Sequence, residues 1–165
     1  MQSAGVQMTL VNRQRRVRFD ADWLRRFATL ALAECVHHSG DGLFRLKQLR
    51  AVEVAVVSDR VIARVHEEFM GVPGATDVIT FDHGEIVVSA DTAKSQAAAH
   101  GHRPVEEMAL YVVHGLLHLN GYDDREPRAR TRMHRVQDRI WSGLCARLPA
   151  ARGKRSSPVQ KSALR

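Results

Sequence analysis

Residues 112–124 read VVHGLLHLNGYDD. They close a run that opens at Pro104 and continues VEEMALYVVHGLLHLN, with apolar residues at helical spacing, before Gly121. A proline in the first turn and a glycine just past the last are the punctuation of a helix. Four apart on that helix, His114 and His118 share a face, with Cβ atoms roughly 5–6 Å apart. That suits two imidazole nitrogens meeting one zinc ion at bonds of about 2.0–2.1 Å. Gly121 lets the chain leave the helix through a conformation costly to other residues, so that Asp124 turns back toward the pair as a third ligand. Two histidines and a carboxylate with one position open form a catalytic rather than a closed structural donor set. An isolated H-x-x-x-H is more often two ordinary helix residues. The glycine and aspartate at matching offsets move the reading toward a metal.

These offsets equal those of the metalloprotease pattern H-E-x-x-H-x-x-G-x-x-H. Gly115 stands where the protease keeps its general-base glutamate, and Asp124 stands where it has a third histidine. Ordinary metallopeptidase chemistry is thereby disfavoured. The catalytic group stays unassigned, and a metal-activated water or Lewis-acid polarisation is the remaining route to hydrolysis. The other histidines read as ordinary residues: His37 and His38 end a helix, His100 and His102 flank a loop, and His134 sits on a charged helix.

Upstream, residues 6–12 (VQMTLVN) read as a short strand, and Trp23 to about His38 as an amphipathic helix capped by Asp20 or Asp22 and ended by Gly40 and Gly42. Residues 51–57 (AVEVAVV) alternate β-branched residues as a strand does. Ser58 or Asp59 caps a helix to Phe69, and Gly71, Pro73 and Gly74 break it. DVITF (77–81) and EIVVS (85–89) are strand-like around a tight DHG connection. Ser89 or Asp91 caps a helix over TAKSQAAAH, and EPRARTRMHRVQDRIWSGLCARL forms the last helix, with Val136, Ile140 and Leu144 on its apolar stripe. Strands separated by helices imply an α/β or α+β domain with one small sheet. Residues 1–148 form one domain, and residues 149–165, with five basic residues and no acid, form a disordered tail.

The 165 residues suit one domain, and 44% hydrophobic content is globular. The net charge of +7 suits a polyanionic partner. Arg13, Arg15, Arg16, Arg18 and the tail are candidate phosphate contacts, although charge runs are more often solvated faces. Few aromatics are available for stacking bases. Cys35 and Cys145 form no C-x-x-C pair, which indicates no disulfide-linked partner and fits a reducing cytosol. No apolar run approaches a membrane span, and no secretory signal is evident.

HGLLHLNGYDD closely resembles the H-G-x-L-H-L-x-G-Y-D-H signature of the YbeY proteins, bacterial rRNA maturation factors. TDVITF (76–81) resembles that family's P-T-D-V-[LI]-[ST]-F strand, and GEIVVS (84–89) its G-[DE]-I-x-I-S strand, in the same order. The resemblance covers about residues 7–147. It implies an α+β (α/β-like) fold, a small mixed β-sheet packed with helices and loosely zincin-like, and a single-strand-specific, zinc-dependent endoribonuclease. Such an enzyme acts in small-subunit rRNA 3′-end maturation and ribosome quality control, in the cytoplasm. Its partners are rRNA, single-stranded RNA, and the ribosome or small-subunit assembly factors. The family's three zinc positions fall on His114, His118 and Asp124, implying one Zn²⁺ per chain, with another divalent metal as the alternative. Thr76 and Asp77 are expected to support the metal site or orient backbone, with an ordinary turn as the competing reading. HEEFMG puts His66, Phe69 and Met70 where the family has an N-x-x-[YF]-R segment. Methionine cannot clamp a phosphate as arginine does, and Ala75 replaces the family's proline. Met70, together with Asp124 where the family has its third histidine, motivates an alternative, an rRNA- and metal-binding assembly factor with weak or no cleavage. A hydrolase of another substrate, such as a peptide, is the third reading.

Overall fold

The computed structural model describes residues 5–155. Strand β1 (Gln7–Asn12) leads to helix α1 (Ala21–Cys35) and then to a 3-10 turn, Leu46–Gln48. Strand β2 (Ala51–Val57), helix α2 (Asp59–Met70), strands β3 (Val78–Phe81) and β4 (Glu85–Ser89), and helices α3 (Ala90–His100), α4 (Pro104–Leu119) and α5 (Pro127–Arg147) follow. The sheet has four strands in the order β1-β2-β4-β3. β2 pairs in parallel with both β1 and β4, while β3 and β4 form the antiparallel pair that the DHG turn anticipates. The expected small mixed sheet with helices is the observed fold.

Local chemistry sets the boundaries. The Ser58 hydroxyl accepts from Val61 N at the start of α2, and Ser89 does the same for Thr92 N at α3. The Ser89 and Thr92 hydroxyls both donate to Asp59, whose own N–H donates to Asp91 Oδ2 at 2.8 Å, so the starts of α2 and α3 are tied together. Both sheet faces are covered, which explains the near-continuous apolar run in β2. Val52, Val54 and Val56 join Ile86 and Val88 under the layer built from α1, α3, α4 and α5. Ala55 and Val57 join Ile79 and Val87 under α2, where Ile62 is fully buried.

Two expectations change. Helix α1 ends at Cys35 rather than near His38, well before Gly40 and Gly42. Those glycines have another task, described below. At the C-terminus, residues 149–153 are tied to the fold although composition assigned them to the tail. Trp23 Nε1 donates to Pro149 O at 2.8 Å, Ala151 is 5% exposed, and Arg103 Nε donates to Gly153 O at 3.1 Å. The acid that Arg152 pairs with is Asp20, far away in sequence, so local composition could not reveal it. Residues 156–165 of that expected tail lie outside the described residues.

Asp20 caps α1 by accepting from Trp23 N at 3.1 Å, and Oδ2 accepts from Arg152 N at 2.9 Å and Nε at 3.1 Å. The Arg152 hydrogen bonds hold this carboxyl well below the usual carboxylate range, despite its burial. A depressed carboxyl pKa adds stability that is complete above the unfolded value, near 3.8, and is lost as pH falls toward the folded one. Asp20→Ala is expected to cost about 1–2 kcal/mol at neutral pH. The deficit should shrink as urea titrations are repeated at progressively lower pH below 4.

Candidate metal centre

Helix α4 runs through the core. Pro104 occupies its first turn, and the Glu106 carboxylate accepts from Arg103 N at 2.7 Å. Ten of its residues from Val105 to Leu119, including Val112, Val113, Leu116 and Leu117, are apolar or glycine and buried. His114 and His118 stand half-buried at its C-terminal end, on the face away from that packing. Gly115 explains the absent glutamate. A Cβ there would lie 2.9 Å from Ile86 and 3.0 Å from Thr80 Oγ1, so this position presses on the sheet and has no space for a side chain. Glutamate at 115 would lever α4 off β3 and β4 instead of reaching the histidines.

Three donor atoms converge. His114 Nε2 and His118 Nε2 are 3.0 Å apart, and Asp124 Oδ2 lies 3.4 Å from the first and 3.6 Å from the second. The other ring nitrogens are already committed. His114 Nδ1 donates to Gln137 Oε1 at 2.8 Å, and His118 Nδ1 donates to Tyr122 O at 3.0 Å. In the neutral rings, both Nε2 lone pairs therefore face each other beside a carboxylate, an arrangement that repels itself unless a cation stands among the three. Atoms bound at about 2.0–2.1 Å to a tetrahedral zinc are roughly 3.3 Å apart, close to the separations found. The donor set fits a zinc-class ion. Burial and then the charge of His118 depress the pKa of His114, against Gln137, Asp124 and Asp77, so its imidazole stays neutral and able to ligate to lower pH than an ordinary histidine.

The turn that brings Asp124 back is fixed from the other end of the chain. Gly121 has φ +92°, the left-handed region the sequence asks of it. Gly40 N donates to Asn120 O at 2.9 Å and Gly42 N to Gly121 O at 2.8 Å. A Cβ on Gly40 would collide with the Gly121 carbonyl, so the glycines read as helix stops are needed for this backbone crossing. Asn120 is 2% exposed. Its amide donates to Cys35 O at 2.8 Å and His38 O at 2.6 Å, and its Oδ1 accepts from Leu46 N at 3.0 Å.

Of the other expected residues, Asp77 sits just before β3, accepting from Val78 N at 2.8 Å and from Thr76 Oγ1 at 3.3 Å. Thr76 and Asp77 thus shape the strand start; they are not among the converging donors, although the charge of Asp77 acts on His114. Phe69 and Met70 end α2 and are 62% and 50% exposed. Arg13 pairs with Glu53 and Arg16 with Asp91. Gln137 is the residue the sequence reading missed. It stands on the α5 stripe between Met133 and Ile140, and a polar residue in register with buried apolar ones is the signal that marks it. Gln137→Ala is expected to lower divalent-metal affinity by roughly 10–100-fold, the usual consequence of losing such a support. Competition with a chromophoric chelator checks it.

A family model described as Endoribonuclease YbeY matches residues 10–144. An Endoribonuclease YbeY of Kineococcus radiotolerans is 35% identical over 121 residues, covering 63% of this chain and 70% of its relative. One of Saccharopolyspora erythraea is 31% identical over 138 residues, covering 72% and 75%. One of Clavibacter sepedonicus is 29% identical over 151 residues, covering 81% and 93%. The solution structure of TM1509 from Thermotoga maritima superposes with a TM-score of 0.56 at 21% identity over 91% of this chain and 99% of that one, a likeness of fold.

Proposed function

The chain belongs to the YbeY endoribonuclease family, and we propose that it hydrolyses single-stranded RNA using one zinc ion held by His114, His118 and Asp124. The observation that carries this reading is the convergence of His114 Nε2, His118 Nε2 and Asp124 Oδ2 while both Nδ1 atoms are held by Gln137 and Tyr122. When bound, such an ion supplies Lewis acidity, lowering the pKa of a water and polarising a phosphoryl oxygen. The chain's own residues do the rest. Gln137 and the Tyr122 carbonyl fix the two tautomers, and Asp124 adds the negative charge that a third histidine would lack. Gly115 packs on the sheet, so no peptidase-type base comes from that position, which disfavours the peptide hydrolase reading.

The proposed substrate is ribosomal RNA. The role is maturation of the small-subunit 3′ end and ribosome quality control in the cytoplasm, with the ribosome or its small-subunit assembly factors as partners. Among the described residues no helix is long and apolar enough to cross a membrane. The net charge of +7 supports an RNA partner. Besides the 13–18 segment, which follows β1 at the sheet edge opposite β3, α5 presents Arg128, Arg135 and Arg139. These are exposed, with no acidic partner among the described residues. RNA affinity is expected to fall with salt, each phosphate contact adding roughly 0.7–0.9 to the log–log slope.

The second reading, an rRNA- and metal-binding assembly factor that cleaves weakly or not at all, rests on Met70. It stands half-exposed where the family's arginine is expected. The test is cleavage of a labelled single-stranded RNA before and after chelation and zinc re-addition. Metal-dependent cleavage that zinc restores is the expected result. Tight RNA and zinc binding without cleavage would select the second reading.

A further inference from the structure

The corner between α3 and α4 carries a second group of potential ligands. His100 is the last residue of α3, Gly101 turns the chain at φ +71°, and His102 precedes the first turn of α4. The corner is held firmly. His102 N donates to Ala97 O at 3.0 Å, and the His102 ring packs on Trp141 with centroids 4.9 Å apart. Trp141 Nε1 in turn donates to Glu106 O at 2.8 Å. Glu107 lies beneath them with its side chain 3% exposed. Its Oε2 is 3.1 Å from His102 Nδ1 and its Oε1 is 3.5 Å from His100 Nδ1.

A buried carboxylate is costly unless a positive group meets it. Among the described residues no lysine or arginine reaches Glu107; the two imidazoles are its ion-pair partners. One turn further along α4, Tyr111 is 5% exposed, and its hydroxyl is the one buried side-chain polar atom without a hydrogen-bond partner among the described residues. A donor atom from each of His100, His102 and Glu107 lies within 4.8 Å of the others, and His100, 53% exposed, leaves a path from solvent.

We propose that His100, His102 and Glu107 form a second site for a divalent cation, separate from the His114–His118–Asp124 centre. Two imidazoles and one carboxylate select zinc and neighbouring transition metals over magnesium and calcium, which prefer all-oxygen sets. Glu107 and His114 are seven residues apart on one helix, about 10 Å along its axis, so the two groups do not share an ion. The ion joins the end of α3 to the first turns of α4, the helix that presents His114 and His118 at its other end.

The full chain, stripped of metal, is titrated with Zn²⁺ and, for its visible bands, with Co²⁺. Two equivalents are expected for the natural sequence and one for His100→Ala, whose exposed position leaves the fold intact. One is also expected for Glu107→Gln, which keeps the side chain's shape and removes its charge. The double variant His114→Ala/His118→Ala should still take up one equivalent, and zinc should raise its Tm. That arm separates this site from the first: uptake lost there but kept in His100→Ala overturns the second site, and the converse pattern overturns the first. A single equivalent in the natural sequence that His118→Ala abolishes would overturn the proposal. So would a second equivalent that both His100→Ala and Glu107→Gln leave in place.

Discussion

Asp124→Ala is expected to abolish tight zinc binding at the first centre and reduce RNA cleavage to the level of the chelated protein. The carboxylate is the only anionic member of the converging set, 3.4 and 3.6 Å from the two Nε2 atoms. Its removal leaves two neutral imidazoles, so the loss of affinity should exceed the roughly 10–100-fold that follows loss of an outer support such as Gln137. Asp124→His should retain the ion. A neutral imidazole donates less charge than a carboxylate, so the bound cation keeps more of its acidity. The rising limb of the cleavage pH profile should then move to lower pH. Equilibrium dialysis and rate–pH profiles at saturating zinc measure both variants. An Asp124→Ala protein with unchanged affinity and profile would remove Asp124 from the ligand set.

The largest expected loss of stability lies outside the ligands, at Asn120. Asn120→Ala strips the hydrogen bonds from Cys35 O, His38 O and Leu46 N, all joined to this one buried side chain. Buried groups left unpaired cost about 1–3 kcal/mol each, so a loss of roughly 3–5 kcal/mol is expected, allowing for some water entry. Asn120→Asp should be no milder, because it turns an acceptor oxygen toward the two carbonyls the amide served. Urea unfolding monitored by Trp fluorescence gives the stability. Metal titration of the folded fraction should show weakened affinity, since the same turn sets Tyr122 O and Asp124.

Much of this arrangement is legible in the sequence where it depends on local spacing. His114, His118, Gly121 and Asp124 lie within one turn and one helix, and period and punctuation suffice to bring them together. The caps at Asp20, Ser58 and Ser89 are local too, as is the β3–β4 hairpin. What depends on tertiary partners is not legible in the same way. Gly40 and Gly42 look like a helix stop because their crossing with Gly121 is a contact between distant backbones. The hold on His118 is a main-chain carbonyl, which any residue at 122 would offer. His102 reads as a loop histidine until the fold sets Glu107 beneath it. Arg152 looks like part of a solvated basic run because its partner, Asp20, lies at the other end of the chain. Gln137 is the intermediate case, since its place in a stripe of buried apolar positions is visible but the imidazole it serves is not.

The Asn120 clasp also sets the order in which the molecule can be assembled. Asn120 and Cys35 are separated by 85 positions, and Gln137 stands 23 positions beyond His114. Closing so long a loop costs chain entropy that only the finished core repays. A chain still being synthesised has α1 and the glycine crossing waiting for a turn not yet made, and after that turn it still lacks α5. No partial product therefore carries a set metal pocket. Nuclease competence arrives late and at once, when the first third of the chain has met the last.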